Sequence, residues 1–388
     1  MPLQRIKFLF SFSGFLSALY FSIPIWMVFL TVEQHFSVET AIQLSMLEWL
    51  VIAVFEVWSG SWSDRFGRRK VFALGWTLQV LATTVYVFGH GLPIFLFSAL
   101  SAGIGGAMMS GNIEAIVHDR LTKLGDEAQF SKMQSQSYMW LFIGRTFGAI
   151  AWGYLFSFNP IYPYIGNLAI FTLYTTTIFL FPKDEQEKSH SKSDFEHIRI
   201  GFSDIWMQKP VFYKLLLIIL AASVGNIYWF TYQEYFRLLW LPVASFGWFY
   251  ALTSSMSALS AWLLWRSREK GISERILFRI FLLFLASSSV FLAFSHELWS
   301  LVGIVTLSCM SGWVMTLGNT LILAHVAPTH KSFALSAFSF AQTMGYVICT
   351  YTAGFFIERY GLWLVYSFLS VSILSGFILW IVYSWSRK

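Results

Sequence analysis

Twelve separate runs of this chain are apolar over the length a helix needs to cross a lipid bilayer, and no other feature restricts its fold so severely. The runs lie near 8–30, 39–59, 71–89, 92–117, 137–157, 161–181, 211–233, 243–265, 276–294, 298–324, 333–356 and 362–384. A hydrocarbon core takes roughly 20 residues at about 1.5 Å of rise each. Backbone groups in lipid must satisfy their hydrogen bonds within the protein, and uninterrupted apolar runs do so as helices. The expected fold is therefore all-α, with twelve transmembrane helices. Only 12% of the residues are charged, about half the level of soluble domains.

The first run follows Arg5 and Lys7, as the core of a signal peptide would. It is long, lacks a convincing small-residue cleavage site and precedes eleven others, so it reads as a retained first helix. Orientation follows from Lys and Arg, which stay on the cytoplasmic side during insertion. With the N-terminus inside, the inner segments hold 23 of the 26 Lys and Arg. Arg237 and Arg359 fall outside, and Arg145 lies within the fifth run. Both termini are thus expected in the cytoplasm, with the chain in a bacterial inner (plasma) membrane. This asymmetry accounts for the pI of 9.2 without a nucleic-acid partner. Cys309 and Cys349 sit inside apolar runs, where packing is expected and a disulfide is not.

A charged stretch over 182–192, with Lys183, Asp184, Glu185, Glu187 and Lys188, divides the runs into six and six. The expected domains are a six-helix bundle over 1–181, a cytoplasmic linker over 182–209 and a second six-helix bundle over 210–388. Residues 195–207 mix Ile198, Ile200, Phe202, Ile205 and Trp206 with charges, which suits a surface amphipathic helix and a disordered linker equally. A faint repeat accompanies the division. Ser131, Ser135, Gly144 and Gly153 recur 201 residues on as Ser332, Ser336, Gly345 and Gly354. Gly111, Asn112 and His118 recur 207 residues on as Gly318, Asn319 and His325.

The link between the second and third runs reads Gly60-Ser-Trp-Ser-Asp64-Arg65-Phe-Gly67-Arg68-Arg69. Gly67 permits a tight helix-to-helix turn, and Gly60 allows a neighbouring helix close. Asp64 stands where a carboxylate can meet the positive groups of the loop, and the basic residues also suit a surface of anionic lipid. This segment resembles the cytoplasmic signature of the major facilitator superfamily at every fixed position. The resemblance implies a pseudo-symmetric bundle pair in which Asp64 holds a cytoplasmic gate closed and releases it on switching. The corresponding loop of the second half, beginning at Arg266 and ending at Gly271, keeps charges but lacks the Asp. In the fifth run, Gly144, Gly148 and Gly153 resemble part of the superfamily's antiporter motif, with Ala149 and Trp152 departing from it. Ordinary small-residue packing explains the same glycines.

Ionisable residues inside a span cost several kcal/mol, about 2.5–3.5 on insertion scales, and mark function. Glu48 is the foremost, near the middle of the second run with no basic neighbour on its helix. A carboxylate there can load and release a proton. Glu56, Glu114 with His118 four residues later, and Asp119 lie nearer the inner end, and the resemblance places such a cluster in a charge relay with the signature loop. Arg145 needs a carboxylate, with Glu48 or Glu114 as candidates, or an anionic substrate or water-filled cavity. Asn226, Tyr232, Gln233 and Asn319 are polar groups expected to look inward, while Glu234 and Arg237 suit either that role or an outer ion pair. Trp140, Tyr228, Trp229 and Tyr232 suit a planar or amphipathic substrate.

The expected function is secondary active transport by alternating access: proton-coupled export of small amphipathic organic molecules, such as a drug or secreted metabolite. The alternative is proton-coupled uptake of a metabolite or siderophore. No nucleotide-binding signature is present, and the scattered His residues offer no metal or catalytic cluster. No enzyme activity and no cofactor beyond a proton gradient are expected. A small-molecule substrate and the lipid bilayer are the expected partners of a monomer.

Overall fold

The computed structural model describes residues 3–109, 112–126, 129–182, 209–294, 301–309, 313 and 331–386. Among these residues there is no strand. Helix α1 covers Leu3–Ala18, and α2, Trp26–Val28, continues as a π-helical turn over Phe29–Glu33. Next come α3 (Val38–Phe66), α4 (Arg68–Phe88), α5 (Leu92–Met109), α6 (Asn112–Lys123), α7 (Phe130–Phe158) and α8 (Tyr162–Thr177). The second part of the chain holds α9 (Lys209–Leu238), α10 (Phe246–Glu269), α11 (Glu274–Phe294), α12 (Lys331–Tyr360) and α13 (Leu362–Ser386). Ten of the twelve expected spans lie on these helices among the described residues, the first is interrupted, and the tenth is helical over 301–309. Residues 183–208, and with them the nature of the linker, lie outside the described residues, as does Asn319.

Contrary to the sequence expectation, the first span is two pieces. Residues 19–25 leave the helix, and Pro24 supplies the reason: it has no N–H to donate, and its ring clashes with the carbonyl one turn back. One opened backbone N–H and one side-chain hydroxyl of the break are met from α8. Phe21 N–H donates to Asn167 Oδ1 at 2.6 Å, and Asn167 Nδ2 donates to Ser22 Oγ at 2.8 Å. Asn167 is 1% exposed, so water cannot replace it. Each buried polar group left without a partner costs about 1–3 kcal/mol. Asn167→Ala is therefore expected to lower the thermal-unfolding midpoint of the detergent-purified protein, with Asn167→Asp, which keeps an acceptor for Phe21, falling between. Equal midpoints for all three proteins would remove this role.

Packing groups the chain into two compact units. The first comprises Met1–His35, Leu44–Phe195 and Pro242–Ala251. In it α1 lies along α7, and α4 packs on both α5 and α8. Ile6, Phe10, Trp76, Val117, Leu121 and Phe171 form part of its core. The second unit comprises Phe36–Gln43, Glu196–Leu241 and Leu252–Lys388. There α9 lies along α12, and α11 along α13.

The two internal patterns correspond, first span with fifth and third with sixth, and the repeated glycines explain how. A Cβ on Gly144 of α7 would stand 2.3 Å from the Phe15 carbonyl oxygen of α1. One on Gly345 of α12 would stand 2.8 Å from Ser223 Oγ of α9. Nine residues further on, Gly153 would meet the Ala244 carbonyl oxygen at 2.2 Å, and Gly354 would meet Ile42 Cγ2 at 3.0 Å. Each pair does one job twice, admitting a close helix neighbour that a side chain would push away.

Candidate functional site

The signature loop folds around Gly67, whose φ of +91° lies in the region that favours glycine. Its N–H bonds the Ser63 carbonyl at 3.0 Å, and its own carbonyl accepts from the N–H groups of Lys70 and Val71, both at 3.1 Å. One residue thus closes α3 and opens α4. The basic residues that follow serve different helices. Arg68 pairs with Asp119 of α6 at 2.5 Å. Arg69 donates to the Phe179 carbonyl at 2.7 Å and lies 5.6 Å over that ring, tying the loop to the turn Ile178–Leu180 after α8. Arg65 is exposed, with its guanidinium 5.4 Å from the Phe66 ring. Gly60 and Asp64 lie on α3, but their side chains are outside those described. Glu56 is exposed on the same helix. His118 packs edge-on against Phe130 at 5.2 Å and stands 3.9 Å from Asp119. Glu114 is not paired with it among the described residues; instead Glu114 lines a cavity with Trp76 and Tyr174.

Glu48 stands where α3 crosses α5: a Cβ on Gly103 would come 2.8 Å from the Glu48 carbonyl oxygen. Its carboxylate is within electrostatic reach of Tyr20, in the break of the first span, and of Tyr86 on α4. Tyr86 stacks on Tyr164 at 4.7 Å, and Phe29 touches both rings, at 5.7 and 4.5 Å. Tyr20 packs on Phe171 at 4.7 Å. The Tyr164 hydroxyl is buried and meets no hydrogen-bond partner among the described residues. No cation pairs with Glu48 among them either. Unwound backbone at membrane depth survives where protein covers it or a cavity borders it, and it marks binding sites in transporters. Tyr20, Tyr86, Tyr164 and Asn167 escaped the sequence reading. Pro24 within an apolar run was the available signal.

In α7, Gly148 joins Gly144 and Gly153 in close approach, its Cβ position lying 3.3 Å from Tyr20 N. All three glycines of the partial antiporter motif therefore serve backbone packing. Arg145 beside them is half-buried, and its buried Nε meets no hydrogen-bond partner among the described residues. Neither Glu48 nor Glu114 pairs with it among the described residues. Trp140 sits edge-on to Phe15 at 6.4 Å.

In the second unit, Asn226 Nδ2 donates to Thr350 Oγ1 at 3.1 Å, joining α9 to α12. Tyr228 is 2% exposed, with its ring 4.5 Å from Tyr366. Tyr232 lies between Trp229 and Phe236, at 5.8 and 5.3 Å. Gln233 is fully buried, its Nε2 3.4 Å from the Tyr232 hydroxyl. The two cations expected on the outer side each meet a carboxylate, Arg237 with Glu234 at 2.7 Å and Arg359 with Glu39 at 3.3 Å. Cys309 and Cys349 are free. Among the described residues no cluster of His, Cys, Asp or Glu would hold a metal.

Among the described residues the fold is helical throughout and carries this loop and these intramembrane polar groups. The family model of the Major Facilitator Superfamily matches residues 9–272, and the chain belongs to that superfamily. It is similar to YxaM of Bacillus subtilis (strain 168), an uncharacterized MFS-type transporter, with 24% identity over 57% of this chain and 54% of that protein. Multidrug resistance protein 2 of the same organism is 24% identical over 43% of this chain and 42% of that protein. The class D tetracycline resistance protein of Salmonella ordonez is 25% identical over 61% and 58%. The chain thus spans about half the length of the curated relatives it matches. Among solved structures, the nucleoside transporter NupG superposes with a TM-score of 0.76 at 13% identity, covering 98% of this chain and 99% of that one. A D-xylose-proton symporter gives 0.71 at 13% identity, covering 96% and 97%. These two likenesses establish the fold alone.

Proposed function

We propose that this protein exports small amphipathic organic molecules in exchange for protons, by alternating access, from a bacterial inner membrane with both termini in the cytoplasm. The observation that carries the reading is Glu48: a carboxylate inside a span, among tyrosines, beside an unwound helix and without a cationic partner among the described residues. Ionisable side chains inside a span are costly there and mark ion pathways and proton relays. The names of the multidrug and tetracycline resistance relatives favour export.

In this scheme residues 1–181 and 210–388 act as the two moving bundles of a monomer, joined by the linker 182–209. Asp64, Gly60 and the basic residues of the signature loop hold one gate state, aided by the Arg68–Asp119 pair, with Glu56 part of the same relay. Arg145, Trp140 and the polar positions of α9, Asn226, Tyr228, Tyr232 and Gln233, together with Asn319, contact substrate.

The test uses purified protein in liposomes carrying an inward-acidic pH gradient reported by a quenched dye. Adding amphipathic substrates one at a time outside is expected to relieve the quench as protons leave. Deeper quenching by a substrate would establish symport and overturn the export reading. Failure of every substrate class to move protons would remove proton coupling.

A further inference from the structure

Arg145 is a cation inside the apolar stretch Met139–Phe158 of α7, and among the described residues it makes no ion pair and no hydrogen bond. A guanidinium left so is costly in a span and is found facing a partner or an opening in the protein. The helix fixes which way Arg145 points. Trp140, Phe147, Tyr154 and Phe158 are exposed, and at about 100° per residue they share one face of α7, the face expected to meet lipid. Arg145 lies on the opposite face, in line with Leu141, Gly148, Ala149 and Trp152.

That face is sealed on one side of Arg145 and open on the other. Toward the C-terminal end of α7, Gly148 lies against the Tyr20 backbone, Ala149 lies against Gly247, and Trp152 is fully buried. Toward the N-terminal end, Leu141 is half-buried at the wall of the cavity that also holds Glu114, and Phe142 on the flank is exposed. The guanidinium follows the same division. Its Nε is buried and out of a ligand's reach. Its two terminal nitrogens are not buried, so a ligand can engage them end-on, through both at once. A carboxylate accepts such a pair of charge-assisted hydrogen bonds. An ammonium is repelled there, and a neutral amide offers one oxygen and no charge.

We propose that the transported substrate is an amphipathic organic carboxylate, its charged end held by the Nη1 and Nη2 groups of Arg145 and its apolar part lying along the open stretch beside Leu141 and Phe142. The proposal rests on the transport reading only in taking the bound molecule to be the cargo. It narrows that reading against organic cations, the charge that Glu48 and Glu114 by themselves would favour.

The probes are 3-phenylpropionate and indole-3-acetate, each paired with its neutral primary amide, together with 3-phenylpropylamine. Binding to purified full-length protein is measured by calorimetry in chloride buffer near neutral pH, with no membrane and no gradient. At least one carboxylate is expected to bind, and its amide to bind more weakly by about tenfold or more. Arg145→Gln is expected to weaken the carboxylate by roughly 10- to 150-fold, the worth of hydrogen bonds to a charged group, and to leave the amide unchanged. Arg145→Lys keeps the charge but loses the fork, and is expected to fall between. Each variant is first checked for a monodisperse elution profile. Should Arg145→Gln fail that check, Arg145→Lys and the carboxylate-against-amide contrast decide. Failure of both carboxylates to bind overturns the proposal, as do amides that bind equally well, an amine that binds more tightly than either carboxylate, or carboxylate binding unchanged in a folded Arg145 variant. Inorganic sulfate bound at Arg145, with no carboxylate binding, replaces the organic acid with an inorganic anion and overturns it equally. The liposome assay reports separately. Carboxylates that bind yet move no protons leave this proposal standing and remove proton coupling, whereas protons moved by amines alone remove this proposal and leave export standing.

Discussion

Glu48→Gln is expected to abolish proton-driven transport while leaving downhill exchange of labelled substrate across the same liposomes. Glutamine matches the size and hydrogen-bonding capacity of a protonated glutamate but cannot titrate, so only the coupled step is lost. A structural role predicts another pattern, with reduced yield or stability and both activities falling together. The surroundings sharpen the contrast, because Tyr20 and Tyr86 lie within electrostatic reach and no cation among the described residues loses a partner on substitution. Uphill transport persisting in purified Glu48→Gln would move the proton site elsewhere, with Glu114 and Glu56 the next to test.

Reversing the charges of Arg68 and Asp119 is expected to give the second large effect. Arg68→Asp alone sets two carboxylates face to face, and Asp119→Arg alone sets two guanidinium groups face to face. Each single variant is expected to slow transport several-fold. The native pair is partly open to solvent, with side-chain exposures of 19% and 51%, so about 1 kcal/mol is an upper figure for its worth. That still moves a two-state equilibrium about fivefold. Combining both substitutions restores the attraction with its direction swapped, and much of the rate is expected to return. Rates for the double variant no better than those of the worse single one would show that the pair does not act as a unit. Asp64→Asn, well expressed and inserted, is expected to slow transport by a route this swap does not rescue.

Several elements of the site were legible because the bilayer leaves few options. Glu48 stood out as a charge where lipid admits few, and Gly67 as the residue that a one-residue helix junction requires. The weak repeat at an offset of 201 residues marks Gly144, Gly153, Gly345 and Gly354. Periodicity says little about partners, however. Nothing in the spacing of Arg68 and Arg69 distinguishes a residue bound to Asp119 from one bound to the Phe179 carbonyl, since both choices depend on which helices converge there. Glu114 and His118 suited each other one helical turn apart, yet their neighbours drew them to different places.

What the sequence alone determined is what lipid enforces: helices, their number, the small residues at their crossings and the signature loop that identifies the superfamily. These follow from local properties, the length of an apolar run or the identity of a residue at a fixed spacing. The tertiary structure decided what depends on distant parts of the chain meeting. It broke the first span at Pro24 and supplied Asn167, 146 residues beyond Phe21, to hold the opened backbone. It brought Tyr20 and Tyr86 to Glu48, and set Glu114 in a cavity lined partly by aromatic rings from other helices. Local pattern carries the cost of lipid for each segment, whereas a binding site is made where several segments share their leftover polar groups, and only packing chooses which ones meet.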